Sequence, residues 1–348
     1  MDLHCEAILE EYRENLPRFE EVSREIRAAL QKTFDDAGLL LAGIESRVKT
    51  EKSLAGKLEL KGSKYATLAD ITDIIGLRVI TFYIDDVDKV ASAVERLFEV
   101  DWENSVDKRK VHEIDSFGYL SLHYICSRPG FPYRFEIQMR TVLQHAWANM
   151  THDTGYKSGV EIPKVYLRNL SRLAGILELV DDEFSRIRRE LADYRRRVQS
   201  LVASGNLADV TLDGESFRSY LTIGPFDRLT RKIASLNQAE IQQVDLSNFV
   251  PLLLGMGFKT LGEVDALVKD YSEAAYQIAC FQIGLTDIDI LSSSVAPQNL
   301  CMAYILKNGG GRAGLRYMLN LLNGESDSND AMAEFLVNQT KDLPFMNQ

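Results

Sequence analysis

The chain is poor in the residues that build disulfide frames and metal clusters. Its four cysteines, Cys5, Cys126, Cys280 and Cys301, are scattered, and no two form a Cys-x-x-Cys pair. That pattern excludes a disulfide scaffold and a structural zinc site, and reads as reduced, mostly buried thiols in a cytosolic protein. No apolar run is long enough to span a bilayer. The opening Met1-Asp2-Leu3-His4-Cys5-Glu6 is too acidic and polar for a signal peptide, so a cytoplasmic protein with no membrane partner is expected. No Gly-Lys-Ser/Thr phosphate loop occurs. Positive charge is in deficit: a net charge of −11 argues against broad non-specific nucleic-acid binding and leaves room only for a local basic patch.

What is present describes a soluble globular protein. The 348 residues suffice for two domains, with 45% hydrophobic and 26% charged residues. The most informative stretch begins at Arg134. Arg134, Glu136, Gln138 and Arg140 alternate with Phe135, Ile137 and Met139, the period of a strand with one polar face. Gln144-His145-Ala146-Trp147-Ala148 then opens a helical pattern, and His145, Asn149, His152 and Tyr156 fall on one stripe. A strand carrying an acid thus runs straight into a helix with a polar, aromatic face. A surface strand would also alternate, but a helix that only packs would rarely place two histidines on one stripe.

Three upstream segments carry similar signals. Arg47 and Lys49 share a face if extended, and Lys49, Ser53 and Lys57 share one if helical. A strand-to-helix junction there would aim two ammonium groups, a hydroxyl and helix N-terminal amides at one anion; the plainer reading is a solvated helix entrance. The run Asp73 to Phe82 reads as a buried strand with Asp73 near its start and Arg78 within it. Charges in such a strand need partners, whether as an internal ion pair or as ligands to a substrate. From Phe117 to Ile125, Tyr119, Ser121 and His123 lie on one face and Leu120, Leu122 and Tyr124 on the other.

Glu136-Ile137-Gln138-Met139-Arg140-Thr141 followed by Gln144-His145-Ala146-Trp147-Ala148, His152 and Tyr156-Lys157 resembles the synthetase domain of the RelA/SpoT family, the alarmone synthetases. Arg47-x-Lys49-x-x-x-Ser53-x-x-x-Lys57 resembles that family's nucleotide-phosphate loop, and Gly118-Tyr119-x-Ser121-x-His123 its acceptor segment. The resemblance covers roughly residues 1–203. It implies a nucleotidyltransferase-like α/β fold and transfer of the β,γ-pyrophosphate of ATP to the 3′-hydroxyl of GDP or GTP, with Mg²⁺ as cofactor. It implies Arg47 and Arg78 around the adenine, Lys49, Ser53 and Lys57 on the phosphates, and Asp73 and Glu136 as Mg²⁺ ligands. Tyr119, His123 and Gln138 are implied on the acceptor, with Arg140 in support; Glu136, Asp73, Lys57 and Lys49 form the implied catalytic set. Ser116-Phe117 and Leu120 depart from the usual guanosine-nucleotide pattern. Two alternatives therefore stay open: a toxin-type relative that pyrophosphorylates tRNA or adenosine nucleotides, and a degenerate nucleotide-sensing module. The five histidines lack the spaced helical set of the family's His-Asp hydrolase domain, and the synthetase segment begins too early for one to precede it, so neither hydrolysis nor a transition metal is expected.

The flanking pattern completes the expected fold: a mixed central sheet carrying residues 74–84, 119–127 and 133–141, flanked by helices, then an all-α domain. Ile8, Tyr12, Leu16, Phe19, Val22, Ile26 and Leu30 mark a helix ending near Gly38. Asp85-Asp86-Val87-Asp88 is read as a cap for a helix reaching about Phe98. Leu170, Leu173, Leu177, Val180, Phe184, Ile187, Leu191, Tyr194, Val198 and Leu201 make a heptad seam, expected to pair with the N-terminal helix or with a second copy of the chain. The arginines between Arg186 and Arg197 read as a solvated face before a nucleic-acid site. A polar, turn-rich stretch at 203–216 suggests a boundary. Residues 216–348, with helices expected at 226–236, 264–284 and 313–322, read as a regulatory or assembly domain. Gly309-Gly310-Gly311-Arg312-Ala313-Gly314 fits Gly-x-Gly-x-x-Gly but follows a helical pattern, which excludes a dinucleotide site.

Overall fold

The computed structural model describes residues 3–61, 64–109, 121–153, 163–284 and 288–346. It divides into two compact units, Met1–Arg189 and Glu190–Gln348.

The first unit is α/β. Helix α1 (Leu3–Asp36) buries Ile8, Tyr12, Phe19, Val22, Ile26, Leu30 and Phe34, the stripe its three-and-four spacing dictates. It ends at Gly38, whose φ of 64° is a left-handed conformation that glycine adopts without a Cβ clash. Strand β1 (Leu41–Val48) leads into α2 (Glu51–Lys61), and β2 (Ile75–Thr81) into α3 (Ile84–Leu97). Then come β3 (Glu99–Asp107), β4 (Leu122–Arg128), β5 (Phe131–Thr141) and α4 (Val142–Asp153). The five strands are ordered β1-β2-β5-β4-β3, with β2 and β5 parallel and the other pairs antiparallel. A mixed sheet flanked by helices is the architecture expected from the sequence. Its apolar face, Ile75, Leu77, Val79, Phe135, Ile137 and Met139, forms one core with the stripe of α1 and with Val87, Val90 and Val94 of α3.

Three details differ from expectation. The strand predicted over 74–84 stops at Thr81, where the Thr81 hydroxyl donates to the Tyr83 carbonyl at 3.0 Å and the chain turns into α3. Asp85 and Asp86 do not cap that helix. The N-cap is Tyr83, and the two acids sit in the first turn, where Arg189 and Arg188 pair with them. The heptad seam is displaced over the first part of α5 (Lys164–Ala203): Leu173, Phe184 and Ile187 are exposed while the nearby Ala174, Asp181 and Ser185 are buried; toward the end of the helix Val198 of the seam is buried, with Val202 beside it. Trp147 and Ala148 of α4 pack on Ala174 and Leu177, and Asp181 finds a partner in Thr141. Asp181 faces inward because it is hydrogen-bonded, and Leu173, Phe184 and Ile187 are left outside. The helix α1 packs on β1, α2, β2 and α3 and gives its stripe to the sheet.

The second unit takes the end of α5, then α6 (Gly214–Leu221), α7 (Asp227–Ala234), β6 (Glu240–Gln242), α8 (Phe249–Gly255), α9 (Leu261–Ile283), β7 (Ile290–Ser292), α10 (Val295–Lys307), α11 (Gly311–Asn323) and α12 (Asp327–Thr340). It is mostly helical, as expected, with one short parallel ladder, β6 on β7. Local chemistry sets the helix starts. Thr260 and Glu263 form a reciprocal capping box, the Thr-x-x-Glu signature, and Asp213 with Ser216 forms another. Phe217, Tyr220, Ile233, Leu252, Ile278 and Leu300 form its core. The glycine run 309–311 spans the helix-to-helix turn after α10 and opens α11 at Gly311.

Candidate functional site

Register across the sheet assembles the site. On neighbouring strands, Glu45 pairs with Arg78, Arg78 with Gln138, and Gln138 with His123. One step along, Arg47 pairs with Gly76 and Gly76 with Glu136. Paired residues point to one side, as do residues two apart. Two rows from four strands thus build one polar face, which opens as a cleft of ≈ 230 Å³ lined by Glu45, Arg47, Asp73, Arg78, Glu136 and Gln138. The Arg47 side chain lies over Gly76, which has no side chain to displace it.

At one end stands the junction expected from the sequence, β1 running into α2. The Lys49 amide donates to Ile74 O at 2.7 Å, and the Tyr12 hydroxyl donates to the Lys49 carbonyl, so the backbone entering α2 is fixed from both sides. Lys49 Nζ lies 2.8 Å from Asp73 Oδ2, and Lys57 Nζ donates to Asp73 Oδ1 at 2.7 Å. Burial would raise the Asp73 carboxyl. The two ammonium groups outweigh it and hold the group below the ordinary carboxylate range. Burial likewise favours the neutral amine of Lys57, and Asp73 reverses this, so its pKa is raised. Two cations on one carboxylate leave a net positive charge beside the cleft. Ser53, in the first turn of α2, accepts from the Thr50 hydroxyl at 2.9 Å, and among the described contacts nothing joins it to Asp73.

At the other end, Glu136 is held by both oxygens. His123 Nδ1 lies 2.8 Å from Oε1, and Gln138 Nε2 donates to Oε2 at 2.8 Å. Burial pushes the carboxyl up, His123 and Gln138 more than offset it, and Glu136 stays below its ordinary range although Asp73 repels it. Asp73 and Glu136 are therefore two ionised, half-buried carboxylates that sense each other across one cleft. Hard oxygen donors of this kind suit Mg²⁺, which commonly takes one or two carboxylates and completes its shell with water and phosphate oxygens. Among the described residues no three His, Cys, Asp or Glu side chains converge, so the rest of such a shell would come from water or substrate.

Arg140 and His145 stand behind this face. The buried Arg140 Nη2 donates to His145 Nδ1 at 2.9 Å, and His145 Nε2 lies 2.8 Å from the Asn149 amide nitrogen and 3.7 Å from Glu45. Burial and then the Arg140 charge hold the His145 pKa below the ordinary histidine value. Arg78 Nη1 donates to Glu45 Oε2 at 3.2 Å, which fixes one guanidinium at the rim. Glu45 escapes the reading from sequence, although it alternates with Arg47 on one face of β1. Tyr119, Phe117, Leu120 and Tyr156 lie outside the described residues, as does the side chain of His152. Arg186, Arg188, Arg189, Arg195 and Arg196 each pair with a carboxylate, so this cluster is engaged within the chain.

A five-stranded mixed sheet thus presents a lysine-lined junction and two carboxylates at one polar face. Comparison with known proteins identifies the class. The region found in RelA / SpoT proteins matches residues 46–161. The GTP pyrophosphokinase YwaC of Bacillus subtilis (strain 168) is 30% identical over 156 residues, 42% of this chain and 73% of the relative. The GTP pyrophosphokinase YjbM of the same organism is 28% identical over 199 residues, 55% of this chain and 92% of the relative. The crystal structure of the small alarmone synthetase 1 from Bacillus subtilis, bound to its product pppGpp, aligns with a TM-score of 0.47 at 24% identity, over 53% of this chain and 99% of that one. The chain belongs to the RelA/SpoT family, as a homologue of the small alarmone synthetases over about half its length. Among the described residues no helix is long and apolar enough to cross a membrane.

Proposed function

We propose that the first unit transfers the β,γ-pyrophosphoryl group of ATP to the 3′-hydroxyl of GDP or GTP, forming (p)ppGpp and AMP. The observation that carries this reading is the pairing of a dication-bound carboxylate, Asp73 with Lys49 and Lys57, with a second ionised carboxylate, Glu136, on one cleft. The names of the relatives support it.

Phosphoryl transfer needs alignment and charge more than covalent chemistry. Arg47 and Arg78 flank the sheet surface where an adenine would lie between guanidinium planes. Lys49 and Lys57 attract the polyphosphate, with Ser53 and the first turn of α2 adding donors. Asp73 and Glu136 would hold Mg²⁺, which when bound neutralises charge on the β- and γ-oxygens. A carboxylate held below its ordinary pKa is a weak base. Glu136 therefore acts first as an anion that orients the attacking hydroxyl, and accepts its proton as the new bond forms. Gln138, His123 and Tyr119 belong to the acceptor side.

The test is direct: incubate the protein with ATP labelled at the β- or γ-phosphate and Mg²⁺, separately with GDP, GTP, ADP and bulk tRNA. Label in the guanosine nucleotides is the expected result. Label in tRNA or ADP alone would transfer the assignment to the toxin-type reading, and none in any arm would support the sensing reading. The engagement of the 186–196 arginines with carboxylates weighs against tRNA. Residues 216–348 are assigned a regulatory or assembly role, because they carry most of a second core that begins at Val198 of α5.

A further inference from the structure

Arg78 has acids on two sides. Its register partner on β1 is Glu45; on β5 it is Gln138, with Glu136 two residues earlier on that strand. All four side chains line the cleft. An arginine reaches a diagonal neighbour across a sheet, and its planar guanidinium suits a carboxylate. The pair that forms is with Glu45. Its Oε2 accepts from Arg78 Nη1 at 3.2 Å, while the two oxygens of Glu136 face His123 and Gln138. The other oxygen of Glu45 lies 3.7 Å from His145 Nε2, and that ring is held in turn by Arg140 and Asn149. Glu45 therefore directs the Arg78 guanidinium to β1 and is itself backed by α4.

Arg47, the other guanidinium of the cleft, is held differently. It has no ion pair among the described residues, and its side chain lies over Gly76. Gly76 and Arg78 are two residues apart on β2, about 6.6 Å along the strand. Guanidiniums at those two levels leave a slot between them for one planar ring. Arg47 can settle onto a ring that enters, whereas Arg78 is already turned toward β1, and the residue that turns it is Glu45. Without Glu45 the carboxylates left on the cleft are Asp73 and Glu136, neither of them on β1. The Arg78 guanidinium would then turn from the wall of the slot toward them.

We infer that Glu45 is a positioning residue of the nucleotide site and acts through Arg78, by holding that guanidinium as the fixed wall of the base slot. The inference rests on the proposed reading of this cleft as the ATP site, and not on the acceptor or on the transfer step. A pair that merely tied β1 to β2 would act on stability alone.

The test is titration calorimetry on the full chain with two probes, ATP and inorganic tripolyphosphate, which has the phosphates without the base. The proteins are wild type, Glu45→Ala, Glu45→Gln, Arg78→Ala and the double variant Glu45→Ala/Arg78→Ala. Glu45→Ala should weaken ATP by about 2- to 5-fold, the range for a partly exposed ion pair. It should bind tripolyphosphate no more weakly than wild type, because Lys49 and Lys57 remain. Glu45→Gln, which keeps an acceptor for Arg78, should lie nearer wild type for ATP. In the Arg78→Ala background, Glu45→Ala should cost nothing further, since its effect runs through the guanidinium. Equal losses in both backgrounds, equal losses for ATP and tripolyphosphate, or an ATP loss that tracks a lowered unfolding midpoint would each overturn the inference. If ATP binding follows the expected pattern but no acceptor gains label, the transfer reading fails and the inference stands. If transfer proceeds while the two substitutions add, the inference alone fails.

Discussion

The Thr141 hydroxyl, at the last residue of β5, donates to the buried carboxylate of Asp181 on α5 at 2.6 Å. The same hydroxyl accepts from the Gln144 amide at 3.2 Å, and the Gln144 side chain accepts from the Thr141 amide, so one threonine ends the strand, starts α4 and docks α5. Five residues before it on β5 is Glu136. Helix α5 is thereby fastened, within the first unit, to the strand that carries a candidate catalytic acid.

The burial of Asp181 gives a pH-dependent stability. Burial raises the Asp181 carboxyl to about 6, although the Thr141 hydrogen bond works the other way. Folded Asp181 therefore binds its proton more tightly than the unfolded chain, whose value is near ~3.9. Its stabilising contribution is complete below that value and is lost as pH rises through about 6. The difference between the folded and unfolded carboxyl corresponds to about 3 kcal/mol. Asp181→Asn keeps an acceptor for Thr141 and cannot ionise. Relative to wild type it should gain stability between about pH 4.5 and about 7.5, by an amount of that order, measured by denaturant unfolding. A pH-independent difference would show that Asp181 does not titrate in this window.

Glu136→Gln should lower turnover by about 10²–10⁴-fold. It preserves shape and the contact to His123 while removing the charge. ATP affinity should change little, because Lys49, Lys57, Arg47 and Arg78 remain. Near-normal turnover would remove Glu136 from the chemistry, and a lost unfolding transition would show that the side chain is structural instead.

Asp73 competes with phosphate for the same two lysines. In EDTA, where no divalent cation can use its carboxylate, Asp73→Asn should bind ATP more tightly than wild type, by roughly 3- to 10-fold for the release of a partly exposed ion pair. With Mg²⁺ restored the order should reverse and turnover should fall. Titration calorimetry in the two buffers reads both effects. Weaker ATP binding by the variant in EDTA would mean that Asp73 organises the lysines and does not compete for them.

Much of this site is written in local spacing. Arg47, Lys49 and Lys57 are recognisable because a strand-to-helix junction converts period two into period four on one side of the chain. Asp73 and Arg78 are recognisable because charge in an apolar run demands partners. What joins the strands is not local. Glu45 reaches Arg78, and Glu136 reaches His123, only through pairing of β1 with β2 and of β4 with β5, which no window of sequence contains. The inward stripe of α5 escapes a local reading for a related reason. Hydrophobic periodicity selects Leu173, Phe184 and Ile187, but the buried stripe carries Asp181 and Ser185. The acid is tolerated there because Thr141, 40 residues earlier in the chain, satisfies it.

The last prediction concerns where the chain can be cut. The core of the first unit draws on α1 through α4 and on Ala174 and Leu177 of α5, whereas Val198 and Val202 at the end of α5 belong to the core of the second. A cut in the polar stretch near residue 216 would leave those valines stripped of their partners, and each large apolar side chain so exposed forgoes about 1.5–3 kcal/mol. A cut after Arg189 keeps Asp181 with Thr141 and both arginines, Arg188 and Arg189, with Asp86 and Asp85. The fragment 1–189 should therefore be soluble with a cooperative unfolding transition, while 1–215 should aggregate more readily. If the second unit is regulatory, 1–189 should transfer pyrophosphate at a changed rate, since every candidate site residue remains. A fragment that is folded, binds ATP and transfers nothing to any acceptor, when the full chain does, would show that residues beyond 189 complete the active site.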